Sequence, residues 1–495
     1  MNLLYRSTRN KHQTATASQA ILEGLAADGG LFVPEFIPSL DLPMDTLKDM
    51  TYQETAYAVM KSFLTDYTED ELKYCINQAY DNKFDTVEIA PLVKVGPEYY
   101  LELFHGATLA FKDMALSILP YLLTSAAKKN QISKDIVILV ATSGDTGKAA
   151  LAGFADVPGT KIIVFYPQGG VSKIQELQMT TQKGSNTHVV AIHGNFDDAQ
   201  SGVKTLFEDQ ILVKEMAKAG YQFSSANSIN IGRLIPQIVY YVYSYAKLLQ
   251  QGELANGEPL HVVVPTGNFG NILAAYYAKL MGVPIGKLIC ASNENKVLFD
   301  FFQTGNYSRN REFVLTSSPS MDILVSSNLE RLIYSVCEQD ADANATLMNE
   351  LKEAGEYLLG HAQKERLHDF VGGYATEEQT ATFIRQIYQK TGYVMDTHTA
   401  VAGFVCQGLQ EVVGRDGKYL VVSTASPYKF TKSVMTALDK TNETISEIDL
   451  IPKLTSIIGG KVPIAVQEVL QAKVLHTTEC EPSQMKEVVK QILHL

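Results

Sequence analysis

No apolar run in the chain approaches the roughly 18 residues needed to cross a bilayer, so no membrane span is expected. The start, MNLLYRSTRNK, turns polar before an apolar stretch can form, which predicts no secretory leader. Cysteine is scarce: Cys75, Cys290, Cys337, Cys406 and Cys480 are odd in number and none sits in a CxxC pair. That argues against a zinc ribbon or a disulfide frame and for the reduced thiols of a cytoplasmic protein. The ten histidines show no HExxH spacing, and no metal is expected. Positive charge is in deficit, 42 Lys and Arg against 54 Asp and Glu, for a net charge of −12. Such a chain repels phosphodiester backbones, so nucleic acid is not an expected partner. A small anion needs only a local ring of donors and stays admissible.

What is present is a globular balance. The chain has 495 residues, 46% apolar and 19% charged, enough for two or three domains with a large core. A disordered regulator, a fibrous repeat and a small disulfide scaffold are excluded. The first stretch, to about residue 85, is broken by Gly29, Gly30, Pro34, Pro38 and Pro43. Thr51 and Glu54 have capping-box spacing, predicting a helix from there to about Phe63; a second is expected over about Glu69 to Tyr80. Beyond residue 95, short β-branched runs alternate with amphipathic helical segments. Strands are expected at Ile136 to Ala141, KIIVFYP, THVVAI, LHVVVP, KLICAS and YLVVSTAS, and a long helix from about Ile231 to Gln250. This grammar predicts α/β architecture, with two wound domains carrying parallel-rich sheets plus a small N-terminal unit. The expected divisions are 1–85, 86–245 for the smaller α/β domain, and 246–495 for the larger one with a helical C-terminus.

Four segments could carry chemistry. Thr142-Ser143-Gly144-Asp145-Thr146-Gly147 follows a strand and opens a helix, where free amides and hydroxyls suit a carboxylate or phosphate. Read alone, it is equally an ordinary capped turn. Walker A fails, because Ala149 follows Lys148 and Thr142 stands where the leading glycine belongs. Gly267-Asn268-Phe269-Gly270-Asn271 lacks GxGxxG spacing; it fits a one-phosphate cradle, or a plain glycine-rich turn. Lys112 sits between an apolar, glycine-containing loop and an apolar helical segment; such surroundings lower an amine's pKa and can make it nucleophilic, although a snorkelling surface lysine has the same sequence signature. Ser228, Asn230 and Arg233 place hydroxyl, amide and guanidinium donors at a helix start, suited to an oxyanion or simply to a helix cap. No GxSxG elbow is present.

Taken together, the blocks resemble the threonine synthases, a family of pyridoxal-phosphate enzymes. The segments LELFHGATLAFKDMA, ATSGDTG, YPQGGVSKIQELQM, ANSINIGR, PTGNFGNILA, PSMDILVSSNLERL, DTHTAVA and STASPYKF occur in the family's order, preceded by STRN and DGGLFVP. The likeness runs from about residue 5 to about residue 430; DGGLFVP, SINIGR and PSMDI are its most particular parts.

The resemblance implies fold type II, the tryptophan-synthase-β-like architecture, with pyridoxal 5'-phosphate as cofactor. It implies that Lys112 is the catalytic Schiff-base lysine, that Gly267 to Asn271 cradle the cofactor phosphate, and that Thr424 faces the pyridine nitrogen. It places Thr142, Ser143, Asp145 and Thr146 over the substrate carboxylate and cofactor ring, and Ser228, Asn230 and Arg233 at the substrate phosphate. The implied reaction takes O-phospho-L-homoserine and water to L-threonine and phosphate, in a monomer. Ala107, Thr397, Ser426 and Tyr428 depart from the family pattern and bear on selectivity. A threonine or serine dehydratase would share the lysine and glycine loops without the 228–233 segment and the N-terminal markers. A non-catalytic relative would be expected to lack Lys112, and the failed phosphate-loop spacings oppose a nucleotide-binding module.

Overall fold

A computed structural model describes residues 2–142, 144–414 and 416–495. Two sheets set the architecture. The larger has six strands in the order Phe370–Tyr374, Ile285–Ser292, Leu260–Pro265, Lys418–Ser423, Glu98–Glu102 and Leu92–Val95. Its neighbours pair in parallel except the last two, which form an antiparallel edge. The smaller sheet has five parallel strands in the order Thr478–Cys480, Thr187–Ile192, Thr160–Pro167, Asp135–Ala141 and Tyr221–Ser224. The central runs IVILV and VVV are buried on both faces, as expected of β-branched strands under helices on both sides.

The sheets are not collinear with the chain. Leu92–Val95 and Glu98–Glu102 precede the smaller sheet in sequence yet complete the larger one. Thr478–Cys480 returns at the end of the chain to pair with Thr187–Ile192. The final helix, Met485–Leu493, then buries Met485, Val489 and Leu493 in the same apolar cluster as Val203 and Leu206. The last stretch of chain, from Thr478 to Leu493, is therefore part of the smaller domain's wall, while Val434, Leu450 and Leu454 pack in one cluster with Val263 and Val421 of the larger sheet.

The N-terminal unit is a three-stranded antiparallel sheet, Asn10–Ala15, Tyr5–Ser7 and Phe32–Pro34, followed by helices. Tyr52–Phe63 and Glu69–Ala79 each begin in a capping box, Thr51 with Glu54 and Thr68 with Glu71. Arg9 binds Glu330 at 2.6 Å and Thr8 donates to the same carboxylate at 2.5 Å, tying the unit to helix Leu329–Val336 of the larger domain. The helix Ile231–Gln250 is almost wholly buried and packs on Tyr52–Phe63 and Gly270–Leu280. No helix among the described residues is long and apolar enough to cross a membrane.

Candidate active site

Lys112 ends the loop that leaves Glu98–Glu102 and opens the short helix Asp113–Leu116. Its position is fixed from below. Asp113 accepts from Thr108 N at 2.8 Å and Thr108 Oγ1 at 2.5 Å, folding the loop onto itself. Phe111 N donates to Thr424 O at 2.8 Å and Ser426 N to Leu109 O at 3.0 Å, so the loop is stitched to the end of strand Lys418–Ser423. Lys112 Nζ lies 3.1 Å from Ser320 Oγ and 3.6 Å from Asp145 Oδ2. Burial pushes this ammonium below the ordinary lysine value; Asp145 opposes the shift, while Lys429 and Arg233 add to it.

Asp145 is the hub. It begins helix Asp145–Phe154 and accepts from Gln175 Nε2 at 2.8 Å and Ser320 Oγ at 2.9 Å, with Lys429 Nζ at 3.2 Å. Burial acts to raise its carboxyl, but Lys429 and Lys112 overcome it and hold the group well below the usual carboxylate range. Lys429 is fully buried and also donates to Thr108 O at 2.8 Å. Lys148, one turn along the same helix, is lowered to about 8, chiefly by burial and then by Lys429. Lys112, Lys429, Lys148 and Arg233 thus gather a surplus of basic side chains around Asp145.

The glycine loop meets this cluster through Ser320. Gly267 stands where a Cβ would run into the Ser320 carbonyl oxygen, so only glycine permits the approach. Asn328 N and Nδ2 donate to Asn268 O, and Ser326 Oγ donates to Gly267 O at 2.6 Å. Phe269 takes a left-handed conformation, φ 65°, which sends its ring into the core against Phe302 and Phe370 while its backbone lines the loop. Asn271 Oδ1 accepts from Tyr240 and Tyr241, and its Nδ2 is a buried donor without a partner among the described residues. With the N-terminus of helix Gly270–Leu280 behind it, the loop could hold a small anion.

The segment before the long helix divides. Arg233 is buried, is lowered to about 10 by that burial, and uses one guanidinium nitrogen on Ala226 O at 3.1 Å. Its Nε has no partner among the described residues, leaving donor capacity for a ligand. Ser228 is half-buried. Asn230 is a correction: its Oδ1 caps the helix at Gly232 N, and its Nδ2 serves Ile21 O and Ser225 O, both at 2.9 Å. No Asn230 donor remains for a phosphate. Thr142 also has a structural task, since its hydroxyl accepts from Gly144 N and Gly147 N to cap its own helix. Thr146 is half-buried; Ser143 lies outside the described residues. Tyr428 Oη donates to Thr455 Oγ1, placing that hydroxyl against helix Glu447–Ile458.

Ser320, His398 and Lys429 were not singled out by sequence reasoning. They lie within PSMDI, DTHTA and SPYKF, but nothing in a serine, a histidine or a lysine read singly shows that it will meet Lys112 or Asp145.

A buried lysine with a depressed pKa and a glycine loop that meets it through Ser320, both at the carboxyl ends of parallel strands, suit an aldehyde cofactor carrying a phosphate. The fold and this pair of features define a fold type II pyridoxal-phosphate enzyme. Two family descriptions match: "Threonine synthase N terminus" over residues 4–80 and "Pyridoxal-phosphate dependent enzyme" over residues 89–425. Threonine synthase of Schizosaccharomyces pombe is 37% identical over 93% of this chain and 96% of its own length. Threonine synthase-like 1 of Homo sapiens is 40% identical over 87% of this chain, which spans 59% of that relative's length. The PLP-bound threonine synthase structure from Brucella melitensis superposes with a TM-score of 0.88 at 33% identity, covering 100% of this chain and 99% of the other. The chain belongs to the threonine synthase family, and its cofactor is pyridoxal phosphate.

Proposed function

We propose that the protein converts O-phospho-L-homoserine and water to L-threonine and phosphate, with Lys112 as the base that moves the substrate's protons. The observation that carries this reading is the Lys112 amine, buried and depressed in pKa, with an unpartnered Arg233 donor close enough to act on it electrostatically. Asn271 Nδ2 and the amides of the Gly267–Asn271 loop would hold the cofactor phosphate, and Thr424, 5% exposed, would face the pyridine nitrogen. When bound, pyridoxal phosphate supplies an electron sink for negative charge at the substrate's α and β carbons.

The remaining work belongs to the chain. Lys112 Nζ would hold the cofactor carbonyl, and as a free amine it takes the α-proton and then a β-proton of the substrate. Asp145, held ionised by two lysines, keeps Nζ within 3.6 Å. Arg233 and Ser228 bind the phosphate as it leaves the γ carbon, and Arg233 answers its growing charge. Water then adds at the β carbon. Closure of the smaller domain over the larger would keep water out until that step.

The five cysteines are free and buried, which supports a reducing, cytoplasmic location. The proposed working unit is a monomer; light scattering on the pure protein tests it. The reaction itself is tested by incubating the protein with pyridoxal phosphate and O-phospho-L-homoserine. Phosphate release by the wild type and none by a folded Lys112→Ala supports the reading; equal release by both contradicts it.

A further inference from the structure

We propose that Ser320 is a further catalytic residue: its hydroxyl receives the Lys112 amine whenever that amine is not bonded to the cofactor, and the buried Asp396–His398 pair holds Ser320 in place for that task. The inference rests on the reading of Lys112 as the cofactor-binding lysine.

The geometry is a continuous chain. Asp396 Oδ2 lies 2.7 Å from His398 Nδ1, and His398 Nε2 lies 3.1 Å from Ser320 N. A backbone N–H can only donate, so Nε2 is the acceptor. Nδ1 then carries the ring proton and donates to Asp396, a neutral imidazole fixed in one tautomer. Both residues are buried, and Asp396 is also held by Thr399 N at 3.0 Å. The neighbouring Thr397 Oγ1 donates to Ser317 O at 2.7 Å, and Gly267 leaves room for the Ser320 carbonyl. The turn carrying Ser320 is thus pinned on several sides.

Its hydroxyl accepts from Lys112 Nζ at 3.1 Å and donates to Asp145 Oδ2 at 2.9 Å. It therefore closes a triangle with an amine and a carboxylate that are themselves 3.6 Å apart. By giving Nζ an uncharged acceptor at 3.1 Å and occupying Asp145 Oδ2 with its own proton, the hydroxyl weakens the charged contact at 3.6 Å, which favours the ammonium and takes the lone pair out of use. The other charges acting on this amine are Lys429, from the turn Pro427–Phe430, and Arg233, from helix Ile231–Gln250; both disfavour the ammonium.

The test follows pyridoxal phosphate uptake by the cofactor-free protein, by absorbance, across pH, alongside steady-state kinetics. Ser320→Ala removes the uncharged acceptor and leaves Lys112 Nζ with Asp145 alone. The uptake midpoint then moves up by about one pH unit, so uptake near neutral pH slows about tenfold. The same variant loses at least about tenfold in kcat, with KM changed by less than about threefold. His398→Leu reproduces both effects, whereas His398→Gln, whose amide oxygen can accept the Ser320 N–H, recovers most of the loss. Ser320→Ala with an unshifted midpoint and kcat within about twofold of wild type overturns the proposal. So does a His398→Gln no better than His398→Leu. If the His398 variants do not fold, the Ser320→Ala midpoint decides alone. A wild type that takes up the cofactor but makes no threonine contradicts the proposed function and leaves this comparison intact.

Discussion

Lys429 Nζ and Asp145 Oδ1 lie 3.2 Å apart with Lys429 fully buried, so the carboxylate nearest the reactive lysine is neutralised from behind by a second one. A single carboxylate between two amines lets Lys112 shed its proton while Lys429 keeps the pair in balance.

Removing Lys429 has two consequences. Lys429→Met leaves Thr108 O without its buried side-chain donor and Asp145 without the buried cation at 3.2 Å, and should cost about 3 kcal/mol in urea-induced unfolding. It also removes a charge that disfavours the Lys112 ammonium, so the pH at which Lys112 becomes reactive rises. A variant of unchanged stability contradicts the structural part, and a downward shift contradicts the electrostatic part.

His105 is a pH-dependent clamp at the base of the lysine loop. Burial alone would lower its imidazole, but hydrogen bonds and charge from Asp85 and Glu102 carry it up to about 9. A folded value above the unfolded value of about 6.5 gives stability that is complete below pH 6.5 and lost as pH rises through about 9. His105→Gln should therefore be less stable than wild type by on the order of 2 kcal/mol near pH 6, with the deficit gone above about pH 9.5. Unfolding curves at several pH values check this, and a deficit independent of pH contradicts it.

Much of the local structure was legible. The Thr51 and Glu54 spacing predicts a helix to Phe63, and the helix is Tyr52–Phe63 with both cap bonds formed. The long apolar segment gives Ile231–Gln250. These features depend on neighbours in sequence. What was not legible depends on partners far away. Nothing local shows that Glu98–Glu102 crosses to pair with Lys418–Ser423, or that Thr478–Cys480 returns to Thr187–Ile192. Asn230 has the composition of a phosphate ligand, yet Ile21 O, 209 residues away, claims its amide. Ser320 meets Lys112 across 208 residues, a contact no spacing rule reaches.

Gly267 makes a stringent test of the cradle. Gly267→Ala would drive a methyl into the Ser320 carbonyl, moving the turn that faces Lys112 as well as the loop that holds the cofactor phosphate. Pyridoxal phosphate affinity should fall by at least about tenfold, roughly 1.4 kcal/mol, in a protein that still folds. Fluorescence titration of the cofactor-free variant measures it; wild-type affinity contradicts the placement of the loop.

The central claim is that phosphate leaves by cleavage at the γ carbon and that water adds at the β carbon. Reaction of O-phospho-L-homoserine in water enriched in oxygen-18 tests it most directly, with products resolved by mass spectrometry. The account predicts one labelled oxygen in the threonine hydroxyl and unlabelled phosphate in equal amount. Labelled phosphate with homoserine, or phosphate with a 2-oxo acid in place of threonine, would contradict it.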